Sequence, residues 1–341
     1  MVGMRKRGDK VRQFILENVE QHSEDIVTFV SSALGISRQA VNKHIQHLIA
    51  QEIIVAQGAT RDRRYTLREL GGKIFKYFLQ NLQEDVVWRN DIAPMLSELP
   101  ANARELWQYG ATEMLTNAVD HSSGSRLIVD VSKTAITCRI VIIDDGEGIF
   151  KKIQRELALD DERHAVLELV KGKLTTDPIH HTGEGIFFSS KMFDHFWISS
   201  GNTFFRCGYR TPFEFVHELP NSEPGTKVFM SLRNNTTRTT KEIFDSFSDE
   251  DYGFTKTVVP VQLAQYGHEK LISRSQAKRL LARFDRFKTV FLDFENVESI
   301  GQAFADEIFR VFAREHPNVM IMETNTGPTV RQMIDRARHH D

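Results

Sequence analysis

Between Glu113 and Gly185 three short signals follow one another: Glu113-Met-Leu-Thr-Asn117-Ala-Val-Asp120-His121, then Asp144-Asp145-Gly146-Glu147-Gly148, then His181-Thr182-Gly183-Glu184-Gly185. Read as a helix at about 100° per residue, the first sets Glu113, Asn117 and Asp120 on one face, with Ala111, Met114, Leu115, Ala118 and Val119 on the other. A carboxylate and a carboxamide one turn apart can then point at one object. The same stripe also suits an amphipathic helix whose polar side faces water. Ahead of the second signal, Arg139-Ile-Val-Ile-Ile143 reads as a buried strand that delivers Asp144 to a glycine turn. There a carboxylate can accept a hydrogen bond from an exocyclic amine such as adenine's, and Gly146 and Gly148 let the backbone approach a ligand. An Asp-Gly hairpin turn is the alternative. In the third signal Gly183 and Gly185 open a helical stretch, so free N–H groups and the positive end of a helix dipole would face an anion such as a triphosphate.

Taken together, Glu-x-x-x-Asn, Asp-x-Gly-x-Gly and Gly-x-Gly, closed by Gly225-Thr226 before Lys227-Val-Phe-Met-Ser-Leu232, resemble the Bergerat-fold (histidine-kinase-like, GHKL) ATPases over residues 96–233. This group includes gyrase, histidine kinases, MutL and the anti-sigma-factor serine kinases. The resemblance implies ATP and Mg²⁺ as cofactors, with Asn117 as metal ligand, Glu113 as general base and Asp144 as the adenine contact. It further assigns Gly146, Gly148, Gly183 and Gly185 to the base and phosphates, and Thr226 to the adenine side. Asp120 shares the polar face and joins the expected nucleotide site. Asp145 departs from the asparagine many members carry, and the added charge has no account at this level. The interval Lys171-Gly-Lys173 to His181 corresponds to the segment over the nucleotide in that family. Lys171 and Lys173 are therefore candidates for phosphate oxygens, or alternatively members of an exposed basic loop.

The 341 residues suffice for two or three domains. No apolar run reaches the ~18 residues that span a bilayer, and the basic N-terminus lacks an apolar core behind it, so a cytoplasmic protein is expected. Cys138 and Cys207 are the only cysteines, too few for a disulfide framework or zinc spacing. With a net charge of −2, any attraction to nucleic acid must be local.

Residues 1–70 read as three short helices and a hairpin. Val11, Phe14, Ile15 and Val19 mark the first helix, and Ile26, Val27, Val30 and Leu34 the second. Gly35-Ile36 turns into a third whose buried stripe is Val41, Ile45, Leu48 and Ile49. The order resembles a winged helix-turn-helix domain, which implies DNA as a partner. Arg38, Gln39, Asn42 and Lys43 would then read the major groove, while Arg61, Arg63 and Arg64 on the wing meet the backbone. Winged helices also serve as protein-docking modules. Residues 71–95, rich in aromatic and apolar side chains, read as a helical connector.

After the polar boundary Asn234 to Thr240, residues 250–341 alternate strand and helix as a small α/β domain. A strand is expected at Phe254–Val261, a helix at Ser275–Phe287 and a strand at Thr289–Phe294. A helix at Ala303–Arg314, a strand at Val319–Met322 and a helix at Thr329–Arg338 complete it. Phe291-Leu-Asp-Phe-Glu-Asn-Val-Glu-Ser-Ile300 makes this domain similar to a STAS-like domain of unknown function, and the resemblance implies a protein partner for it. STAS antagonists of anti-sigma factors offer a serine for phosphorylation at the following helix start, where this chain has Gln302, with Ser299 out of register. The expected fold class is thus α/β multidomain: winged helix, Bergerat-fold α/β sandwich, STAS-like domain. The expected function is an ATP-binding, ATP-hydrolysing DNA-binding regulator switched by Mg²⁺–ATP. Its rival is a protein serine/threonine kinase of the anti-sigma-factor type with the winged helix as docking module; a scaffold without turnover comes third.

Overall fold

Gly35 and Ser37 set the geometry of the N-terminal module. The computed structural model describes residues 2–59, 62–174, 182–209, 215–251, 253–265 and 269–339. Helices α1 (Val2–Asn18), α2 (Ile26–Leu34) and α3 (Arg38–Ala50) are followed by an antiparallel pair, β1 (Ile54–Gln57) and β2 (Arg64–Leu67). Gly35 ends α2 in the left-handed region at φ 61°, its N–H donating to the Ser31 carbonyl. Ser37 caps α3, its side chain accepting from the Ala40 N–H. Ile15, Val19, Ile26, Val30, Val41, Ile45 and Leu48 form the core.

Strand β3 (Gly71–Phe78) corrects the expected helical connector: it pairs antiparallel with β4 (Arg126–Lys133) along its full length. The reason is period, because Phe75 turns inward while Ile74, Lys76 and Phe78 face outward, an alternation that suits a sheet edge. Helical turns follow only at α4 (Glu84–Val87), a π-turn (Trp88–Ile92) and α5 (Ala93–Met95).

The central sheet runs β3-β4-β5-β7-β6, with β5 (Thr137–Asp144), β6 (His195–Cys207) and β7 (Phe215–Arg233), every neighbour antiparallel. Helices α6 (Ala101–Thr116), α7 (Ile149–Glu156), α8 (Glu162–Lys171) and α9 (Gly185–Met192) supply the helical side of its core. Trp107 of α6 is wholly buried, its ring 4.7 Å from that of Phe193. Beyond the sheet, α10 (Thr240–Phe247) starts on a Thr239–Glu242 capping box.

In the last third the strands are β8 (Lys256–Pro260), β9 (Thr289–Asp293) and β10 (Met320–Thr324), parallel and ordered β10-β9-β8. Its helices are α11 (Arg274–Leu281), α12 (Gln302–Asp306), α13 (Ala313–Glu315) and α14 (Pro328–His339), with a π-turn (Glu307–Phe312) joining α12 to α13. Where one helix is expected over 275–287, α11 stops at Leu281. Arg283 adopts the left-handed region, φ 64°, before a 3₁₀ turn at Phe284–Arg286.

The boundary at 234–249 is not a flexible link. Phe244 and Phe247 of α10 meet Phe188 and Phe187 of α9, which in turn meet Phe254 ahead of β8, with ring centroids 4.5 Å apart for Phe188–Phe244 and 4.7 Å for Phe187–Phe254. One continuous apolar core runs from Phe75 to Ala337. The N-terminal module is joined by different means: the β4–β5 turn inserts Ile136 into its core, and Ala135 packs alongside.

Candidate functional site

Helix α6 is broken in character at Asn117, where the backbone widens into a π-turn over Asn117–His121. The wider turn changes which residues share a face. Glu113, Asn117 and His121 all line one cavity of about 280 Å³, whereas Asp120, one position short of a full wide turn, lies exposed and outside its lining. This corrects the expectation that Asp120 belongs to the site. His121 takes that place, and the signal for it was its position as the residue closing the first motif.

From the opposite side, β5 delivers Asp144 to the same cavity, with only 7% of its surface exposed. Its Oδ1 accepts from the Gly146 N–H at 2.9 Å and the Thr226 N–H at 3.2 Å. Burial pushes the carboxyl above its ordinary range, against the pull of these two donors. Thr226 also lines the cavity, and its hydroxyl accepts from the Ile149 N–H at 3.0 Å, tying β7 to the start of α7. Gly146 and Gly148 are not among the residues that line the cavity. Gly148 is required by backbone shape: it caps α7 at φ 91°, and a Cβ there would stand 2.5 Å from the Ser200 hydroxyl.

Asp145, the departure without an account in the sequence, points away from the cavity. Its carboxylate accepts from the Ser125 N–H (2.7 Å), the Ser125 hydroxyl (2.8 Å) and the Arg126 N–H (2.8 Å). Those bonds, the one from Arg126 first, hold it below its ordinary pKa. The added charge anchors the turn into β4.

Gly183 and Gly185 line the cavity at the entrance to α9. Gly185 is demanded by close approach, since a Cβ built on it would lie 1.9 Å from Glu113 Oε2. Residues 175–181, including His181, lie outside the described residues. Lys152 of α7 adds a cation to the lining that the motif reading missed, its Nζ donating to the His121 carbonyl at 2.9 Å. Two carboxylates, a carboxamide, one ammonium group and glycine-opened backbone thus converge on one cavity able to bind a polar ligand with an anionic end.

The expectation that Lys171 and Lys173 reach phosphate is corrected. Lys171 is fully buried, its Nζ bonded to Glu168 Oε1 at 2.5 Å and to the carbonyls of Arg279 and Ala282 at 3.0 Å. Burial pulls Lys171 below its ordinary pKa. Burial opposes charge on Glu168 as well, yet His164, Lys171 and Arg283 outweigh it and hold that carboxylate low. Lys173 donates to the Arg286 carbonyl at 2.9 Å. Neither lysine lines the cavity. Among the described residues no group of three His, Cys, Asp or Glu is poised to hold a metal.

On α3, Arg38, Gln39, Asn42 and Lys43 are all exposed, with Arg38, at the start of the helix, donating to the Thr28 hydroxyl of α2. Arg64 is exposed and pairs with Glu24 at 2.8 Å, and Arg63 lies over the Tyr65 ring. Arg61 falls outside the described residues. No helix among the described residues is long and apolar enough to cross a membrane.

No curated protein matches this chain. Gln302 is the first residue of α12, and the strand-to-helix segment leading to it lies inside a stretch that a family model covers. Over residues 276–330, from within α11 into α14, the chain carries a STAS-like domain of unknown function (DUF4325).

Proposed function

We propose that this protein binds Mg²⁺–ATP in the central cavity and uses it to regulate a DNA-binding N-terminal module. The observation that carries the reading is the convergence of Glu113, Asn117, Asp144, Gly183 and Gly185 on one space, in the order and spacing of the Bergerat-fold ATPases. An antiparallel sheet with helices on one side accords with that fold. Asp144 accepts the adenine amine, and the α9 entrance faces the phosphates. The donor set fits Mg²⁺ brought in with a triphosphate: a carboxamide oxygen and a nearby carboxylate are hard ligands, and this ion keeps most of its shell as water and phosphate oxygen. Asn117 would hold it, and when bound it supplies charge neutralisation for the phosphates. Glu113 orients a water and takes its proton as the oxygen attacks the terminal phosphorus, releasing ADP and phosphate.

The exposed polar face of α3 supports DNA as the partner of residues 1–70, a winged helix-turn-helix in this reading. Ile136 supplies a physical link, because the strand that carries Asp144 begins beside the turn buried in that module. Lys43→Ala is expected to weaken DNA binding and to lower the salt slope by about one. Fluorescence anisotropy on genomic fragments, with and without Mg²⁺–ATP, reads both this loss and the switch. Unchanged affinity and slope would remove α3 from the interface.

A STAS-like domain docked against α8 favours a second reading, a protein kinase acting on a separate protein. The label from γ-labelled ATP decides: free phosphate under the first reading, phosphoprotein under the second.

A further inference from the structure

Where α8 ends, the carbonyls of three consecutive residues, Lys171, Gly172 and Lys173, are claimed by the C-terminal domain. The Lys171 carbonyl accepts from Thr257 Oγ1 at 2.8 Å. Arg283 Nη2 donates to the carbonyls of Gly172 (3.2 Å) and Lys173 (2.7 Å), and Arg286 Nη1 donates to Lys173 as well, at 3.1 Å. In return, Lys171 and Lys173 donate to the carbonyls of Arg279, Ala282 and Arg286. Arg283 is fixed at its other nitrogen by Glu168 Oε2, 2.8 Å away.

This contact borders the cavity directly. Leu174, the next residue, lines it, and the Leu174 N–H donates to the carbonyl of Gly183, another lining residue, at 3.1 Å. The two segments meeting here are also held in conformations that side-chain-bearing residues seldom adopt: Lys173 has φ 53° and Arg283 φ 64°. A surface loop making generic contacts would relax to ordinary backbone. Here both left-handed residues take part in the reciprocal bonding, as expected where neighbouring structure dictates local shape.

We infer that the STAS-like domain regulates the nucleotide site by holding residues 171–173 and, through them, the cavity-lining Leu174, with Arg283 and Arg286 as positioning residues. The inference rests on the nucleotide reading of the cavity. A signal received by the C-terminal domain that shifts the α11–β9 connection would then alter how tightly Mg²⁺–ATP is held, and nucleotide binding would in turn be felt in that domain, since coupling between two sites is reciprocal. The partner delivering such a signal would act on Arg283 and Arg286 without entering the cavity.

Two variants of the full chain test this. Arg286→Ala removes an exposed side chain and one bond to the Lys173 carbonyl, with little cost to folding. Arg283→Lys keeps a cation beside Glu168 but loses the two-pronged reach to 172 and 173. Stopped-flow release of a fluorescent N-methylanthraniloyl ATP in Mg²⁺ is expected to accelerate about fivefold or more in both, the scale of a modest coupling energy, with melting temperature nearly unchanged for Arg286→Ala. Hydrogen exchange adds a reading that simple interface glue would not move: Mg²⁺–ATP should slow exchange of amides 274–286 in the wild type and less so in Arg283→Lys. Wild-type binding with unchanged release in both variants, and no nucleotide effect on 274–286, would overturn the inference and leave the cavity reading intact. Failure of the wild type to bind the analogue would overturn both.

Discussion

Replacing Gly185 by alanine is expected to lower Mg²⁺–ATP turnover on the order of a hundredfold or more, the scale on which removing one positioned polar group acts. The added Cβ would stand 1.9 Å from Glu113 Oε2 and 2.7 Å from Glu113 Cδ, so one side has to move. Helix α9 has no room to withdraw, because Phe187, Phe188 and Ser189 behind Gly185 are buried in the aromatic core. Glu113 therefore yields, and the proposed base leaves its water. Phosphate release in a coupled assay measures the loss, and circular dichroism checks that the fold survives. Wild-type turnover in Gly185→Ala would separate Glu113 from the chemistry.

The second large effect concerns Asp144. Asp144→Ala is expected to weaken ATP binding by about 10- to 150-fold, which is what a charge-assisted hydrogen bond of about 1.5–3 kcal/mol is worth. The variant also strands the N–H groups of Gly146 and Thr226, so a fall in melting temperature should accompany it. Asp144→Asn separates the two consequences: its amide oxygen still serves those donors, while its NH₂ opposes the adenine amine. Stability should then be largely restored and ATP affinity should not. The direction of the Asp144 shift adds a pH dependence. Burial raises this carboxyl, so on acidification it gains its proton earlier than an exposed aspartate and ceases to accept from the amine; affinity should fall as pH drops through that raised range. Calorimetric titrations of both variants and of the wild type across pH measure these outcomes. Equal affinity for ATP in all three proteins would take Asp144 out of base recognition.

Local rules carried much of the fold. Helices with caps and apolar stripes, such as α3 behind Ser37, are written in adjacent residues, and so are glycine turns and the alternation of strand and helix after residue 250. The convergence of Glu113, Asn117 and Asp144 on one cavity was also legible, because helical spacing and a strand-end aspartate constrain geometry over short distances. Features fixed by distant partners were not. Lys171 looks like a free cation until Glu168 and the carbonyls of Arg279 and Ala282 close around it. Asp145 looks like surplus charge until Ser125 and Arg126 come to it from an earlier turn. Asp120 and His121 exchanged places because a π-turn, which residue spacing does not announce, widened the helix. In β3 the signal was present: inward Phe75 between outward Ile74 and Lys76 has strand period, and aromatic richness alone had suggested a packed helix.

A calorimetric titration of the full chain with ATP, in Mg²⁺ and again after chelation, tests the proposed site most directly when run beside Asn117→Ala. Saturable binding of one nucleotide per chain is the expected result, weakened at least about tenfold both by chelation and by the substitution. Absence of binding by the wild type, or affinity in Asn117→Ala equal to wild type in the presence of Mg²⁺, would contradict it.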